Sequence, residues 1–151
     1  MSIEFFVPGS PISKGSMRAF IPKGWVRPVL TSTGGKPLKD WEKAIKAKAC
    51  VAKAEYESRY GPWQLDGACS VMIAFYLPRP KSLPKKVLWP VKKPDCDKLV
   101  RAACDPLTGV LYHDDSQIIT LQALKFYADD NDELPAGMRL TIMQREGKGL
   151  S

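Results

Sequence analysis

The chain has 151 residues, of which 44% are hydrophobic and 26% are charged, and its net charge at pH 7 is +7. These proportions are typical of a soluble globular protein, and the length predicts a single domain over residues 1–151. No run of about 18 apolar residues predicts a membrane span, and the N-terminal segment lacks the basic and apolar regions of a secretory signal. We therefore expect a cytoplasmic protein with no membrane partner.

The first half of the chain predicts a strand, a long loop region and a helix. Residues 2–7 predict a short strand, and residues 8–35, rich in Gly, Pro, Ser and Thr, predict loops with a hairpin. The apolar parts of this hairpin are Phe20-Ile21 and Trp25-Val26. From residue 36 to residue 60 apolar side chains recur every three or four positions, which predicts a helix that Gly61-Pro62 ends. Its buried stripe is expected at Leu38, Trp41, Ile45, Ala49, Ala52 and Tyr56.

The middle of the chain predicts a strand, an irregular loop and a short helix. Residues 67–77 alternate between large and small side chains, as in a strand that is covered on one face. Five prolines in residues 78–94 exclude regular structure there. Asp95 or Asp97 then caps a helix that runs to about Cys104. The inward side chains of this helix are Leu99, Ala102 and Ala103.

The last third predicts two more strands, residues 117–128 and 137–144, joined by an acidic turn over residues 129–135. The order is strand, loop, helix, strand, loop, helix, strand, strand. This order predicts an α+β fold with a small mixed β-sheet of about four strands and two main helices.

Basic residues are concentrated in two stretches that contain no acid. Residues 5–39 carry Lys14, Arg18, Lys23, Arg27, Lys36 and Lys39. Residues 78–94 carry Arg79, Lys81, Lys85, Lys86, Lys92 and Lys93. A charge run can be an ordinary solvated face, but two acid-free runs in loop sequence favour an anionic partner such as a nucleic acid.

Acidic residues gather in the segment that follows the second basic stretch, at Asp95, Asp97 and the pair Asp114-Asp115. Carboxylates placed together repel one another unless a cation lies between them, and hard oxygen ligands of this kind suit Mg²⁺ or Mn²⁺. A metal site within a basic protein suits cleavage of a phosphate backbone. Asp97, Arg101 and Asp105 are spaced four apart and would share a helix face, either at such a site or as a surface salt-bridge ladder.

Other kinds of site are disfavoured by the spacing of the residues. An EF-hand fails because Leu99 and Val100 stand where an oxygen ligand and a glycine are required. The four cysteines contain no C-x-x-C pair, and His113 is the single histidine, so zinc and a cysteine nucleophile are both disfavoured. Residues 9–16 only faintly resemble a phosphate-binding loop, and we expect no nucleotide cofactor.

The segment KPDCDKLVR of residues 93–101, followed by DPL at 105–107, Gly109 and DDSQI at 114–118, resembles the signature of the RusA Holliday junction resolvases. These are small endodeoxyribonucleases common in phages and prophages. The opening VPGSPISKGSMR and the segment RPKS also resemble parts of this family, so the resemblance spans nearly the whole chain. Lys98 stands where the family has Asn, Arg101 where it has its active-site Lys, and Pro106 where it has Ala.

The resemblance implies a site and a set of roles. Asp95, Asp97 and Asp115 would bind Mg²⁺, with Mn²⁺ as a substitute, and Asp114 would ligate, orient a ligand or support the turn. Arg101 or Lys98 would stabilise charge in the transition state. The residues expected to bind DNA phosphates are Lys14, Arg18, Arg79, Lys81, Lys85, Lys86, Lys92 and Lys93.

The resemblance also implies an activity, namely paired symmetric nicking of four-way DNA junctions by a homodimer, in DNA recombination and repair. The cellular setting would be the cytoplasm of a bacterium or of a phage-infected host. Two alternatives stay open. One is a non-catalytic protein that binds branched DNA through the same basic loops. The other is a metal-dependent nuclease that acts on flaps and other branched DNA.

Overall fold

Six strands and two α-helices are formed by the residues described in this computed structural model, which are 1–15, 18–31, 34–128 and 134–147; for residues 18–20 and 29–31 the description is limited to the backbone. The strands are β1 (Ser2–Pro8), β2 (Arg18–Phe20), β3 (Val29–Thr31), β4 (Cys69–Leu77), β5 (Ile118–Tyr127) and β6 (Gly137–Gln144). The helices are α1 (Gly35–Tyr60) and α2 (Cys96–Cys104), and the short 3₁₀ helices are η1 (Asp105–Leu107) and η2 (Asp115–Gln117). The predicted order of the main elements is confirmed.

The main sheet has the strand order β1-β6-β4-β5. β6 runs antiparallel to both of its neighbours, whereas β4 and β5 are parallel. Parallel strands require a crossover connection, and here that connection carries the loop of residues 78–94, α2 and the two 3₁₀ helices. The sheet is therefore mixed, as predicted, and β5 lies at its edge.

The predicted hairpin is confirmed as the antiparallel ribbon of β2 and β3. Of its predicted apolar residues, Ile21, Trp25 and Val26 lie in the connection between the two strands and are exposed. Prolines at positions 22 and 28 disfavour strand pairing in that connection, which limits the ribbon to three residues on each side.

The core lies on one face of the sheet, between it and the two helices. On β4 every second side chain is buried, at Cys69, Val71, Ile73, Phe75 and Leu77, as the alternation predicts. The stripe predicted for α1 is confirmed, with Ala52 only partly buried. Leu99, Ala102 and Ala103 of α2 are also buried, as predicted.

Within the described ranges, neither α-helix is long and apolar enough to cross a membrane. Most of the predicted acidic turn, residues 129–133, lies outside the described residues.

Candidate active site

Helix α2 buries one face and presents the other to solvent. Its buried side chains alternate with exposed Asp97 and Arg101, so both of these project away from the core. Asp95 occupies the N-cap position, as predicted, but among the described residues its side chain makes no capping hydrogen bond. The Asp95 carboxylate instead lies 3.4 Å from Nζ of Lys98.

The turn before β5 is organised by Asp114. The Asp114 carboxylate accepts a hydrogen bond from the backbone N–H of Ser116 at 2.8 Å and so caps η2. Of the three roles considered for Asp114, supporting the turn is the one that these contacts provide. Asp115, the next residue, is the first residue of η2 and is exposed.

Gln117 fixes this turn to the rest of the molecule. Its Oε1 accepts hydrogen bonds from the backbone N–H groups of His113 and Asp114, at 2.7 and 3.0 Å. Its Nε2 donates to the carbonyl oxygens of Leu65 and Gly67, at 2.9 and 2.8 Å. The position of Asp115 is therefore tied to the segment that leads into β4.

An open cavity of about 420 Å³ lies between α2 and β5. It is lined by Asp97, Val100, Arg101, Cys104, Asp105, Asp115, Ile118 and Leu121. The structure thus brings together Asp97, Arg101 and Asp115 from the predicted set. It adds Asp105, which the four-residue spacing had placed on the same face. Three carboxylates and one guanidinium now share one space that is open to solvent.

The charges around this cavity favour a bound cation. A hydrogen bond with the Asp114 carboxyl raises the pKa of Asp115, and partial loss of water and the negative charges of Asp114 and Asp105 raise it further. Hydrogen bonds from Ser116 hold the pKa of Asp114 below its ordinary value. A cation beside Asp115 would offset this crowding of negative charge.

Asp95 and Lys98 belong to a neighbouring groove of about 530 Å³. Its lining includes Ile12, Ser13, Gly15, Gly34, Lys93, Pro94, Asp95 and Lys98. In the described part of the chain, no group of three or more Asp, Glu, His or Cys side chains is arranged to hold a metal ion. Two carboxylates, Asp97 and Asp115, do suit Mg²⁺, which is commonly bound by one or two carboxylates together with water and substrate phosphates. The predicted metal site stays a prediction.

Lys14 has partners inside the protein. Its Nζ lies 3.0 Å from the carboxylate of Asp105 and 3.6 Å from that of Glu42, and its backbone N–H donates to the carbonyl oxygen of Lys98. The hydrogen bond with Asp105 raises the pKa of Lys14. Lys14 thus joins the opening loop to α1 and to the end of α2, and its predicted contact with DNA stays a prediction.

The other predicted DNA-binding residues differ in their surroundings. Arg79 donates hydrogen bonds to the carbonyl oxygens of Val87 and Pro84, at 2.8 and 2.7 Å, so it closes its own loop. The side chain of Arg18 lies outside the described residues. The remaining lysines are exposed on the loop of residues 78–94, as phosphate binding requires, and they are Lys81, Lys85, Lys86, Lys92 and Lys93.

Sequence reasoning gave no positioning role to Glu42, Gln117 or Lys125, although Gln117 belongs to the DDSQI segment that carries the family resemblance. Lys125 donates from Nζ to the carbonyl oxygens of Lys92 and Pro94, at 3.1 and 2.9 Å, and so holds the chain just before Asp95. The sequence did contain a signal for Lys125, because a lysine at a core-facing position of a strand is unusual and indicates a specific partner. For Glu42 the sequence contains no such signal, because its contact with Lys14 depends on the tertiary fold.

Comparison with known proteins finds a matching family model and a similar protein. The family model for endodeoxyribonuclease RusA matches residues 19–134, which include the whole lining of the cavity between α2 and β5. The uncharacterized protein YqaN of Bacillus subtilis (strain 168) is 30% identical over 154 residues, a match that covers 95% of this chain and 96% of the relative.

Proposed function

Because the chain belongs to the RusA endodeoxyribonuclease family, we propose that it resolves four-way DNA junctions by metal-dependent, paired symmetric nicks. The observation that carries this proposal is the shared cavity of Asp97, Arg101, Asp105 and Asp115. Recombination and repair intermediates are the proposed substrates, and the cytoplasm is the proposed setting.

The carboxylates of the cavity would hold the metal. Asp97 and Asp115 would bind Mg²⁺, or Mn²⁺ as a substitute, and would thereby gain a water of lowered pKa and a positive charge beside the phosphate. Asp105 lies beside Asp115 and is kept there by Lys14, so it would orient the metal ligands. Asp95 and Asp114 stay candidate ligands from the resemblance, with Lys98 and Ser116 as their present partners.

Arg101 is the cation we assign to the transition state. It lines the same cavity as Asp97 and Asp115, whereas Lys98 is paired with Asp95 in the neighbouring groove. A guanidinium keeps its charge and can contact two phosphate oxygens at once, so Arg101 would stabilise charge on the cleaved phosphate. It does not serve as a proton donor or acceptor at neutral pH.

The exposed lysines of residues 78–94 would hold the DNA backbone on either side of the cavity. Each phosphate contact releases counterions, so affinity is expected to fall steeply as salt rises. The chain from Lys92 to Pro94 is held against Lys125 and leads directly into Asp95. Phosphates bound by this loop would therefore lie close to the carboxylates.

A homodimer would supply two such cavities to one four-way junction. Within the described sheet β5 pairs with β4 alone, and this edge strand carries the exposed apolar side chains of Ile119, Leu121 and Leu124. An unpaired edge with apolar side chains favours pairing with another chain, and a second copy gives a closed twofold assembly. Leu121 also lines the cavity, so a contact here would bring two cavities near the twofold axis.

The test is cleavage of an end-labelled synthetic four-way junction, a flap and a linear duplex, each in Mg²⁺ and in EDTA. We expect paired symmetric nicks in the junction in Mg²⁺ only, with the duplex uncut. Equal cleavage of the flap would indicate a general nuclease for branched DNA. Tight junction binding with no nicks in Mg²⁺ or Mn²⁺ would overturn the proposal in favour of a non-catalytic binding protein.

A further inference from the structure

The loop of residues 78–94 presents large apolar side chains to solvent. Leu88, Trp89 and Val91 are 68%, 60% and 85% exposed. The same loop carries six basic residues and no acid. Exposed aromatic side chains among cations are the combination by which proteins bind unpaired nucleic acid, since the rings stack on bases and the cations contact phosphates.

The exposed Trp89 ring packs against a second aromatic ring of the protein. Its centroid lies 5.9 Å from that of Phe126, and Phe126 stacks on Tyr76 at 5.6 Å with an interplanar angle of 21°. The three rings form a continuous row from the helix-free face of the sheet to the loop, and we call this row the aromatic platform. A ring restrained in this way loses little conformational freedom when it binds a ligand.

The loop itself is fastened on both sides of Trp89. On one side Arg79 binds the carbonyl oxygens of Pro84 and Val87 and lies over the ring of Tyr127, 5.2 Å from its centroid. On the other side Lys125 holds Lys92 and Pro94. Trp89 is six residues from Asp95, a span of at most about 22 Å for an extended chain. One DNA molecule can therefore contact both the aromatic platform and α2.

We propose that the aromatic platform stacks on an unpaired or displaced base of branched DNA, while Lys85, Lys86, Lys92 and Lys93 hold the adjoining phosphates. This inference rests on the proposed function and specifies how its substrate is selected. In continuous duplex both faces of nearly every base are already stacked, and exposing a base requires that it be unstacked and unpaired. At a branch point the cost is least, so the aromatic platform favours branched DNA over duplex.

The charge of the loop decides between DNA and a second copy of this chain as the occupant. A twofold contact through Trp89 would bring two loops with six cations each against one another, and like charges at close range oppose association. A polyanion with exposed bases complements both the charge and the rings.

The experiment uses a four-way junction with 2-aminopurine at the branch point, titrated in EDTA so that no cleavage occurs, and a duplex of the same sequence. We expect Trp89→Ala to lower junction affinity by roughly 5- to 150-fold and to abolish the fluorescence change at the branch point, with duplex affinity nearly unchanged. Trp89→Phe should restore most of the affinity. The matched control is Tyr60→Ala, since Tyr60 is 71% exposed and contacts Tyr56 at 5.0 Å on α1, outside the loop.

Two results would overturn the inference. One is wild-type junction affinity and fluorescence in Trp89→Ala, or an equal loss on junction and duplex. The other is a change from dimer to monomer in sedimentation of Trp89→Ala, which would assign the ring to a contact between copies. Because binding is measured in EDTA, the inference and the nuclease can fail separately. Failure of the wild-type protein to nick DNA in Mg²⁺ would contradict the proposed function. Selective loss of junction binding in Trp89→Ala would still support base stacking on the aromatic platform.

Discussion

The start of α2 and the turn before β5 each contain two aspartates that are close together in sequence. In both segments the two carboxylates of the pair have different surroundings in the structure. Asp97 lies in the first turn of α2 and faces the cavity, whereas Asp95 is the N-cap residue, has an extended backbone and lies in the neighbouring groove. In the turn, Asp114 accepts the Ser116 N–H while Asp115 lines the cavity. Each pair contributes one carboxylate to the lining of the cavity, and proximity in sequence does not identify which one.

The largest expected difference in cleavage rate is between a variant at Asp115 and the matching variant at Asp114. We expect Asp115→Asn to slow single-turnover cleavage of a four-way junction about a thousandfold, or roughly 4 kcal/mol of transition-state stabilisation. Asp114→Asn keeps an oxygen that accepts the Ser116 N–H, and Asn and Asp are similar N-caps, so we expect a loss below about tenfold. Equal losses in the two variants would show that both carboxylates act at the reaction centre.

A second expected difference in cleavage rate is between variants of Arg101 and of Lys98, the two basic residues of α2. Arg101→Ala removes the guanidinium of the cavity, and we expect cleavage to fall by about 10²–10³-fold. Lys98→Ala leaves the cavity intact and frees Asp95 from its partner, so its effect should be much smaller. Single-turnover rates with Arg101→Lys as the conservative variant test this assignment. A larger loss in Lys98→Ala than in Arg101→Ala would give the family lysine's role to Lys98.

The smallest expected effect is on the stability of the turn before β5 rather than on the cleavage reaction. Gln117→Ala removes all four hydrogen bonds of that side chain, and we expect a loss of about 1–3 kcal/mol in the free energy of unfolding. Thermal unfolding should report a fall in Tm of roughly 2–4 °C for each kcal/mol. Gln122→Ala, at an exposed position of β5, is the matched control and should leave Tm unchanged. Equal Tm values for the two variants would contradict the anchoring role of Gln117.

The periodic elements could be predicted from sequence because their burial is local in origin. The alternation from Cys69 to Leu77 and the stripe along α1 both follow from which side chains avoid water. The strand order and the parallel pairing of β4 with β5 could not be predicted in this way, since they depend on contacts between distant segments.

For the candidate site, too, the sequence predicts local geometry but not the contacts that depend on the rest of the fold. The four-residue spacing of Asp97, Arg101 and Asp105 correctly placed them on one face, because helix geometry is fixed by the backbone. The partners of Lys14 and Arg79 were not predictable, since both cations are in sequence stretches that contain no acid. The contact of Lys14 with Asp105 comes from the tertiary fold, and the contacts of Arg79 with Pro84 and Val87 depend on the irregular path of its own loop.

The most direct test of the cavity as the cleavage site is Asp97→Asn, compared with Asp40→Asn, an exposed acid of α1 that pairs with Lys36. Junction binding would be measured in EDTA and single-turnover cleavage in Mg²⁺. We expect Asp97→Asn to bind the junction like the wild type and to lose cleavage, while Asp40→Asn does both normally. Near-normal cleavage by folded Asp97→Asn would contradict the account, and loss of binding together with loss of folding would give Asp97 a role in the fold instead.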